Sequence, residues 1–283
     1  MSASLRTVKT RINATKSTAQ ITKAMNMVSA SKVRRAEKAY NEYKDYMQKI
    51  TNLVGDLITA NREKHPMLEE RPVKRIGYII ITSDRGLAGS YNGNISKKLI
   101  EEINSIECDY IIGALGRKGY SFCEKSNLKM INNEPILIRD DVDFVDIKFF
   151  ASGLIQKYIN QEIDKIVVIY NKYINSITTE TIAQTLLPIE KVEYSASNID
   201  YEYEQGALKT LDLILPMYVE NTLFGIILNS KTSEHSSRMT AMKNATDNAE
   251  EVINQLQVLY NRARQSAITA ELTDIVAGAS AVE

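Results

Sequence analysis

The sequence predicts an α/β protein: a long antiparallel, left-handed coiled coil of the N- and C-terminal helices, with a doubly wound α/β domain inserted between them. Residues 1–54 contain neither Gly nor Pro and repeat their apolar and small residues every seven positions. Residues 238–277 lack Gly and Pro in the same way and show the same period. Between the two, short apolar runs alternate with helical patterns. We therefore predict three parts, at residues 1–64, 65–205 and 206–283.

The N-terminal repeat has two interleaved series that begin at Leu5 and Val8. A seven-residue spacing forms a seam and imposes a left-handed supercoil. At 1.5 Å per residue such a helix is about 80 Å long, so it needs a partner helix. The first series is Leu5, Ile12, Ala19, Asn26, Val33, Tyr40, Met47 and Val54, and the second is Val8, Thr15, Thr22, Ser29, Ala36, Tyr43, Ile50 and Leu57.

The C-terminal helix supplies the partner and is expected to begin near Gly206 or Pro216. Its series are Met242, Ala249, Leu256, Ala263 and Ala270, accompanied by Ala245, Val252, Leu259 and Ser266. The small N-terminal residues Ala19, Thr22, Asn26 and Ser29 match Ala263, Ser266 and Ala270 in kind, and the register of the two helices is left open. Small side chains bury little area, at about 25 cal/mol per Å². This thin seam favours a helix pair that another protein encloses.

The net charge is zero, with 35 basic and 35 acidic residues, so bulk charge does not favour a nucleic-acid or membrane partner. The distribution is uneven, however, because eight basic residues precede the first acidic residue, Glu37. A solvated helix face is the simplest explanation of a charge run, but a run of one sign favours an acidic partner. The run could also belong to a mitochondrial transit peptide, yet the heptads continue through any plausible cleavage point. The eight residues are Arg6, Lys9, Arg11, Lys16, Lys23, Lys32, Arg34 and Arg35.

Targeting and redox signals are weak. No run approaches 18 consecutive apolar residues, so we expect no membrane span and no secretory signal. Cys108 and Cys123 are isolated thiols without metal-binding spacing, which is consistent with a reducing cytoplasm.

The middle part alternates strands with helices, which predicts a mostly parallel sheet. The run Ile76–Ile81 is continuously apolar, as in a strand buried on both faces. The other predicted strands are Tyr110–Ile112, Ile163–Tyr170 and Thr178–Leu187, and the predicted helices are Tyr91–Ile106, Arg117–Ser126 and Phe144–Asn160.

The segment Thr82–Asn92 follows the first strand, where a dinucleotide-binding sheet places its phosphate loop. Its glycines do not fit G-x-G-x-x-G or G-x-x-x-x-G-K-[ST], so a turn capped by Ser83 or Asp84 explains it better. His65 lies in a linker, and His235 follows Glu234 without the spacing of H-E-x-x-H. The sequence therefore predicts no catalytic residue, cofactor site or metal site.

Three stretches of the chain resemble the gamma subunit of bacterial F-type ATP synthases. The first is Gln20–Arg35 and the second is Ile81–Asn92. The third runs through the C-terminal helix and comprises Glu234–Arg238, Met242–Asn248, Asn261–Gln265 and Ile268–Gly278. The motifs occur in the family's order and extend over the whole chain.

The resemblance implies that the terminal helices penetrate a hexamer of alternating alpha and beta subunits. It implies a Rossmann-like middle domain that binds no dinucleotide and whose outer end docks on the epsilon subunit and the membrane-embedded c-ring. Such a chain is a central-stalk rotor: it transmits torque that couples ion translocation to ATP synthesis or hydrolysis, and itself catalyses nothing. It would lie on the cytoplasmic face of the cell membrane as a peripheral protein, touching the membrane only through the c-ring.

The resemblance also implies partner contacts. The family's contacts with the beta subunit fall here on Met25, Arg238 and Gln265, and the basic residues Lys23, Lys32, Arg34 and Arg35 would face acidic beta-subunit surface. Tyr201 and Tyr203 fall on the edge that faces epsilon. The chain departs from some relatives in carrying Asn26 where they have an acidic residue, and it lacks the closely spaced Cys pair of the plastid type.

Two other functions are alternatives to a torque-transmitting subunit. An NAD(P)-dependent oxidoreductase would use the central sheet, and micromolar binding of NADH would support it. A nucleic-acid-binding basic helix would need its basic run to end where the seam begins. Here the two overlap from Leu5 onward, and a steep salt dependence of DNA affinity would be needed to support that reading.

Overall fold

The computed structural model describes residues 5–60, 65–176, 178–189 and 207–280. The elements alternate as predicted, with long helices first and last. They are α1 (Leu5–Ala60), β1 (Arg75–Ile81), α2 (Tyr91–Asn104), β2 (Asp109–Leu115), α3 (Arg117–Lys125), α4 (Phe144–Ile159), β3 (Lys165–Tyr173), β4 (Thr179–Leu187) and α5 (Ala207–Ser280).

The four strands form one sheet in the order β2-β1-β3-β4. β1 pairs in parallel with both β2 and β3, which confirms the mostly parallel sheet. β4 runs antiparallel to β3 at the sheet edge. The link between these two strands is too short for the crossover that a parallel neighbour requires, so a hairpin forms instead.

Alternate residues of the strands enter two separate cores. Ile76, Tyr78 and Ile80 of β1 pack on the face covered by α2 and α3. Ile79 and Ile81 pack on the opposite face, against α4 and the adjoining parts of α1 and α5. The period of two along β1 thus places helices on both faces, the arrangement that a continuously apolar parallel strand requires.

The chain divides into two compact units, one formed from both ends of the sequence and the other from the continuous segment between them. One unit comprises residues 1–29 and 239–283, and the other comprises residues 30–238. The second unit contains the sheet and also the α1–α5 contacts around Tyr43. The Tyr43 hydroxyl donates to Asn221 Oδ1 at 2.7 Å, and its ring meets Phe224 edge to face at 5.1 Å between centroids. This division cuts both long helices, whereas the predicted parts were bounded at helix ends.

The first unit is an antiparallel helix pair with a polar seam. Thr22 and Thr246 share a 2.7 Å hydrogen bond between buried hydroxyls, and Asn26 Nδ2 donates to the carbonyl of Met239 at 2.8 Å. These contacts fix a register that the heptads alone left open. In this register Thr22 faces Thr246, and the small residues Ala263, Ser266 and Ala270 lie 17 or more positions farther along α5.

The predicted N-terminal seam is confirmed, and the C-terminal one needs a correction. Every residue of the two N-terminal series is buried or half-buried. In α5 the second series is shifted by one residue, since Val252 and Leu259 are 42% and 53% exposed. The positions that are covered instead are Thr246, Ile253, Tyr260 and Ala267. The predicted and the covered series are adjacent and similarly apolar, so the seven-residue spacing alone does not distinguish them.

Helix α5 starts at Ala207 and keeps Pro216 in its interior. By length and composition alone α5 is also long and apolar enough to cross a membrane, the one such helix among the described residues. A helix that packs into a protein core passes the same test, and Leu211, Leu215 and Leu223 are fully buried. The finding is therefore weak evidence for a membrane span.

Gly116 links β2 to α3 at a point where a side chain cannot fit. Its φ is 90°, and a Cβ there would collide with the backbone of Thr82. We predict that Gly116→Ala lowers the free energy of unfolding by about 3 kcal/mol or more, because neither strand end can move away. Urea unfolding followed by circular dichroism would measure it.

Gly93 provides the matched control, since it lies in α2 with open space where its Cβ would be. Gly93→Ala should raise stability by about 0.5 kcal/mol through helix propensity. Equal stability of the two variants would contradict the close approach at Gly116.

Candidate functional site

Residues 229–238 of α5 lie against the carboxyl ends of β1 and β3. Tyr173 N donates to Asn229 Oδ1 at 2.8 Å, and the Tyr91 hydroxyl and Ser230 Oγ are 2.6 Å apart. The chain leaves β1 and β3 in opposite directions here, so this is the switch point at which doubly wound sheets bind ligands. In this chain helix α5 occupies the place where a ligand would bind in other doubly wound sheets.

This helix segment carries charges that are removed from water. Glu234 is 4% exposed and lies between two cations of its own helix. Its carboxylate accepts from Lys231 Nζ at 2.9 Å and from Arg238 Nη2 at 2.8 Å. Positions three before and four after Glu234 share one helix face, which makes the cluster possible. A buried carboxylate is tolerated only when it is paired in this way.

Arg238 also holds the loop that follows β1. Its Nη2 donates to the carbonyl of Arg85 at 3.2 Å and its Nε donates to that of Gly86 at 3.3 Å. The planar guanidinium has five N–H donors, so Nη2 can donate to Glu234 and to the loop at once while Nε donates to the loop as well. Arg238 therefore binds the loop after the first strand to α5.

His235 is neutral and hydrogen-bonded on both ring nitrogens. Arg238 Nη1 lies 3.4 Å from Nδ1 and can only donate, so Nδ1 is the acceptor. Nε2 therefore carries the proton and points at Asp140 Oδ1, 3.2 Å away. Burial lowers the pKa of His235 from 6.5 to about 4, outweighing Glu234 and Asp140. Because both nitrogens are engaged, the ring serves as a structural link rather than as a general base.

Asp140 closes the cluster from the connection between α3 and α4. It accepts from Lys32 Nζ of α1 at 2.6 Å and lies 3.7 Å from Lys231 Nζ of α5. Partial burial opposes its ionisation, but the Lys32 hydrogen bond and the nearby cations prevail and hold the pKa of Asp140 below its usual value. We call Lys32, Asp140, Lys231, Glu234, His235 and Arg238 the ionic collar.

The collar can hold elements together but is not arranged for catalysis. Each of its carboxylates is paired with cations, and Tyr91, whose burial raises its pKa, is bonded to Ser230. Among the described residues, no group of three or more His, Cys, Asp and Glu side chains is placed to hold a metal ion. The other histidine, His65, accepts from the backbone N–H of Met67. The loop Thr82–Asn92 is fixed internally, with Asp84 capping Arg117 N of α3 rather than the helix that follows the loop.

The predicted partner-contact residues are distributed over both units. In the first unit Lys23 and Gln265 are exposed and Met25 is half-buried. In the second unit Arg34 and Arg35 are exposed, whereas Arg238 is only 9% exposed. Tyr201 and Tyr203 lie outside the described residues.

Sequence reasoning singled out Arg238 but missed most of the collar. The spacing of Lys231, Glu234 and Arg238 could have indicated an ion-paired helix face. Asp140 carried no such signal, because it lies in a loop more than 90 residues from its α5 partners. Only the fold brings it to them.

The depressed pKa of His235 predicts acid sensitivity. Unfolded His235 takes up a proton below about pH 6.5 and the folded form only below about pH 4, so stability falls as the pH drops through this window. At pH 5 the loss attributable to His235 should be about 2 kcal/mol relative to pH 7. His235→Gln, which keeps a donor and an acceptor, should abolish that part of the loss. Urea unfolding of both chains at the two pH values measures it, and equal losses would contradict the assignment.

Comparisons with known proteins agree with this architecture. A family model described as ATP synthase matches residues 4–282. A rotor chain of the Euglena gracilis mitochondrial ATP synthase (rotational state 1) has a TM-score of 0.66 at 16% identity, covering 93% of this chain and 98% of its own length. A chain of the same organism's OSCP/F1/c-ring assembly (rotational state 3) has a TM-score of 0.69 at 18% identity, covering 98% and 94%.

A chain from the central stalk and c-ring of the Tetrahymena thermophila mitochondrial ATP synthase is also similar. Its TM-score is 0.60 at 23% identity, covering 80% of this chain and 99% of its own. At these identities the structures support the fold, and the family assignment rests on the match over nearly all of the sequence. The chain belongs to the gamma family of F-type ATP synthases, the central-stalk subunit of these complexes.

Proposed function

We propose that this chain is the torque-transmitting rotor of its ATP synthase. It couples rotation of a membrane-embedded c-ring to the catalytic sites of three beta subunits, which alternate with three alpha subunits around its terminal helices. The chain itself carries no catalytic residue. The observation that carries the proposal is the helix pair of the first unit, which buries little apolar area in its own seam and exposes apolar side chains on its outside.

This helix pair buries little apolar area between its own helices. Its seam contains Thr22, Ser29, Thr246 and Ala249, with only a few larger apolar residues such as Val8, Ile12 and Met242. At about 25 cal/mol per Å², such a seam contributes less than one of Leu and Ile would. An enclosing protein would supply the missing confinement.

Large apolar side chains lie on the outside of the same pair. In α1 Ile21, Met27 and Val28 are 56–61% exposed. In α5 the exposed apolar residues are Val252, Val258, Leu259, Ile268, Leu272, Ile275 and Val276. Contiguous exposed apolar surface of this kind marks a protein interface. A hexamer bore is an enclosure that can contact both helices at once.

The last part of α5 extends beyond the first described residue of α1. Leu5 is 17 residues before Thr22, and 17 residues after Thr246 is Ala263, so α1 residues from Leu5 onward pair only up to about Ala263. Residues 271–278 are all exposed. A helix end with Leu272 and Ile275 in water is consistent with a socket in another subunit.

The basic run supports an acidic partner surface. Arg6, Lys9, Arg11, Lys16 and Lys23 are exposed, as are Arg34 and Arg35. In the part of the chain that the structure describes, Lys32 is the one member of the run with an ion pair. We propose that Lys23, Met25, Arg34, Arg35, Arg238 and Gln265 contact beta subunits. Arg238 would do so over its small exposed part, because its guanidinium is bound within the chain.

The α/β domain is proposed to dock on the epsilon subunit, through the segment with Tyr201 and Tyr203, and on the c-ring. This places the protein peripherally on the cytoplasmic face of the cell membrane, where it contributes to ion transport only through the ring. The similar structures are rotor and central-stalk chains of mitochondrial ATP synthases, which supports a partnership of this chain with a c-ring.

Co-purification tests the assembly. The affinity-tagged chain should recover alpha, beta and this chain in a 3:3:1 ratio, with epsilon, and ATP hydrolysis should be found in the complex and not in the chain alone. Recovery of the folded chain without alpha and beta subunits would refute the proposal, as would ATP hydrolysis by the chain alone.

Gln265 allows a test of the contact assignment that does not disturb the chain. It is exposed on α5, so Gln265→Leu should leave the unfolding of the chain within about 0.5 kcal/mol of wild type. In the complex we predict a several-fold loss of ATP hydrolysis, or of ion pumping per ATP, because a polar partner contact is lost. Both activities are measured with complexes reconstituted into vesicles.

Gln257→Leu is the control, an exposed glutamine of the same helix that the family resemblance does not assign to a contact. It should retain both activities. Equal activities for the two variants would remove Gln265 from the interface. The structure also makes Arg238→Ala unsuitable for this purpose, because it breaks a buried pair and should cost about 3 kcal/mol of stability.

A further inference from the structure

The ionic collar lies at one level of the second unit, where all three parallel strands end. The loop after β1 binds Arg238 through the carbonyls of Arg85 and Gly86. The end of β3 binds Asn229, and the carbonyl of Ser176 just beyond it accepts from Ser236. The connection that leaves the β2 side of the sheet contributes Asp140. Helix α5 is thus held from three directions.

Helix α1 has an ionic contact at this level. Lys32 Nζ of α1 lies 2.6 Å from Asp140 Oδ2. The same carboxylate faces His235 at 3.2 Å and Lys231 at 3.7 Å on α5. Asp140 is therefore the point where one side chain of the α/β part contacts both long helices.

We propose that Asp140 is a positioning residue that locks both helices rotationally to the α/β domain, so that a twist applied to the domain reaches the helix pair without slip. This inference rests on the proposed rotor function. A torque about an axis between the two helices displaces them in opposite directions relative to the α/β domain. If the domain contacted only one helix, the other could shift.

The chemistry of the collar suits this role. Asp140 stays charged throughout the physiological range because Lys32, His235 and Lys231 stabilise its carboxylate against partial burial. Charge-assisted bonds of 2.6–3.2 Å are directional and resist shear better than apolar contacts, which can slide. Asp140 remains 48% exposed, so its replacement leaves no buried cavity.

The test compares Asp140→Asn with Asp140→Glu in complexes reconstituted into vesicles. Asp140→Asn keeps the shape and removes the charge. ATP hydrolysis should stay within about twofold of wild type, while ion pumping per ATP against an established gradient should fall about three- to fivefold, the effect of one lost ionic contact. Asp140→Glu should restore at least half of the pumping ratio, because it returns a negative charge to Lys32 and Lys231.

Two further variants keep the result decisive. Asp141→Asn is the matched control, since the neighbouring Asp141 makes no ion pair among the described residues, and it should pump as wild type does. Lys32→Gln removes the contact of α1 with Asp140 from a half-exposed position, and should lower the pumping ratio in the same direction. It replaces Asp140→Asn as the test if that variant does not assemble.

A merely structural role would lower assembly or stability and reduce hydrolysis and pumping together, and that result would overturn the inference. So would an unchanged pumping ratio in Asp140→Asn and Lys32→Gln. Failure of the proposed function is distinguishable, because then the wild-type chain itself would not assemble with alpha and beta subunits or pump.

Discussion

The pairing of buried Glu234 with Lys231 and Arg238 is the interaction on which the arrangement of α5 against the sheet depends. Removing three charges from water is costly and is repaid only where geometry and hydrogen bonding are good. Here the helix supplies the pairing itself, through one face spaced at three and four residues. The remaining Arg238 donors are then free to bind the loop after β1.

The same packing of α5 explains why, among the described residues, this doubly wound sheet has no open ligand crevice at the ends of β1 and β3. The crevice at the carboxyl ends of β1 and β3 ordinarily exposes backbone groups that phosphates can bind. In this chain α5 occupies that edge: Asn229 accepts from the Tyr173 N–H, Ser230 bonds the Tyr91 hydroxyl, and Arg238 donates to the Gly86 carbonyl. Doubly wound sheets elsewhere bind ligands at this edge, whereas this sheet binds its own helix α5 there. That use accords with a central-stalk subunit.

Much of the fold was predictable, because α1 and β1 follow simple periodicities. Every position that the N-terminal heptads predicted from Leu5 to Leu57 is covered, and the apolar run of β1 predicted a strand buried on both faces. The register of α1 against α5 was not predictable, since alanines and hydroxyls carry little information about which neighbour they face. The one-residue shift at Val252 has the same origin. Of the site, Arg238 was found through family resemblance, while Asp140 was missed because its partners are distant in sequence.

The insert and the helices are interdependent in a way that bears on how the chain is made. The core beneath the sheet is completed by Leu211, Leu215 and Leu223 of α5, and by Val54 and Leu57 of α1. A ribosome releases these pieces in chain order, so the sheet emerges with one side of its core uncovered. The α/β unit can close only after residues up to about 238 have left the exit tunnel, and until then Ile79, Ile81 and Val168 present an apolar face. The α/β unit therefore completes its folding together with the docking of α5, late in the synthesis of the chain.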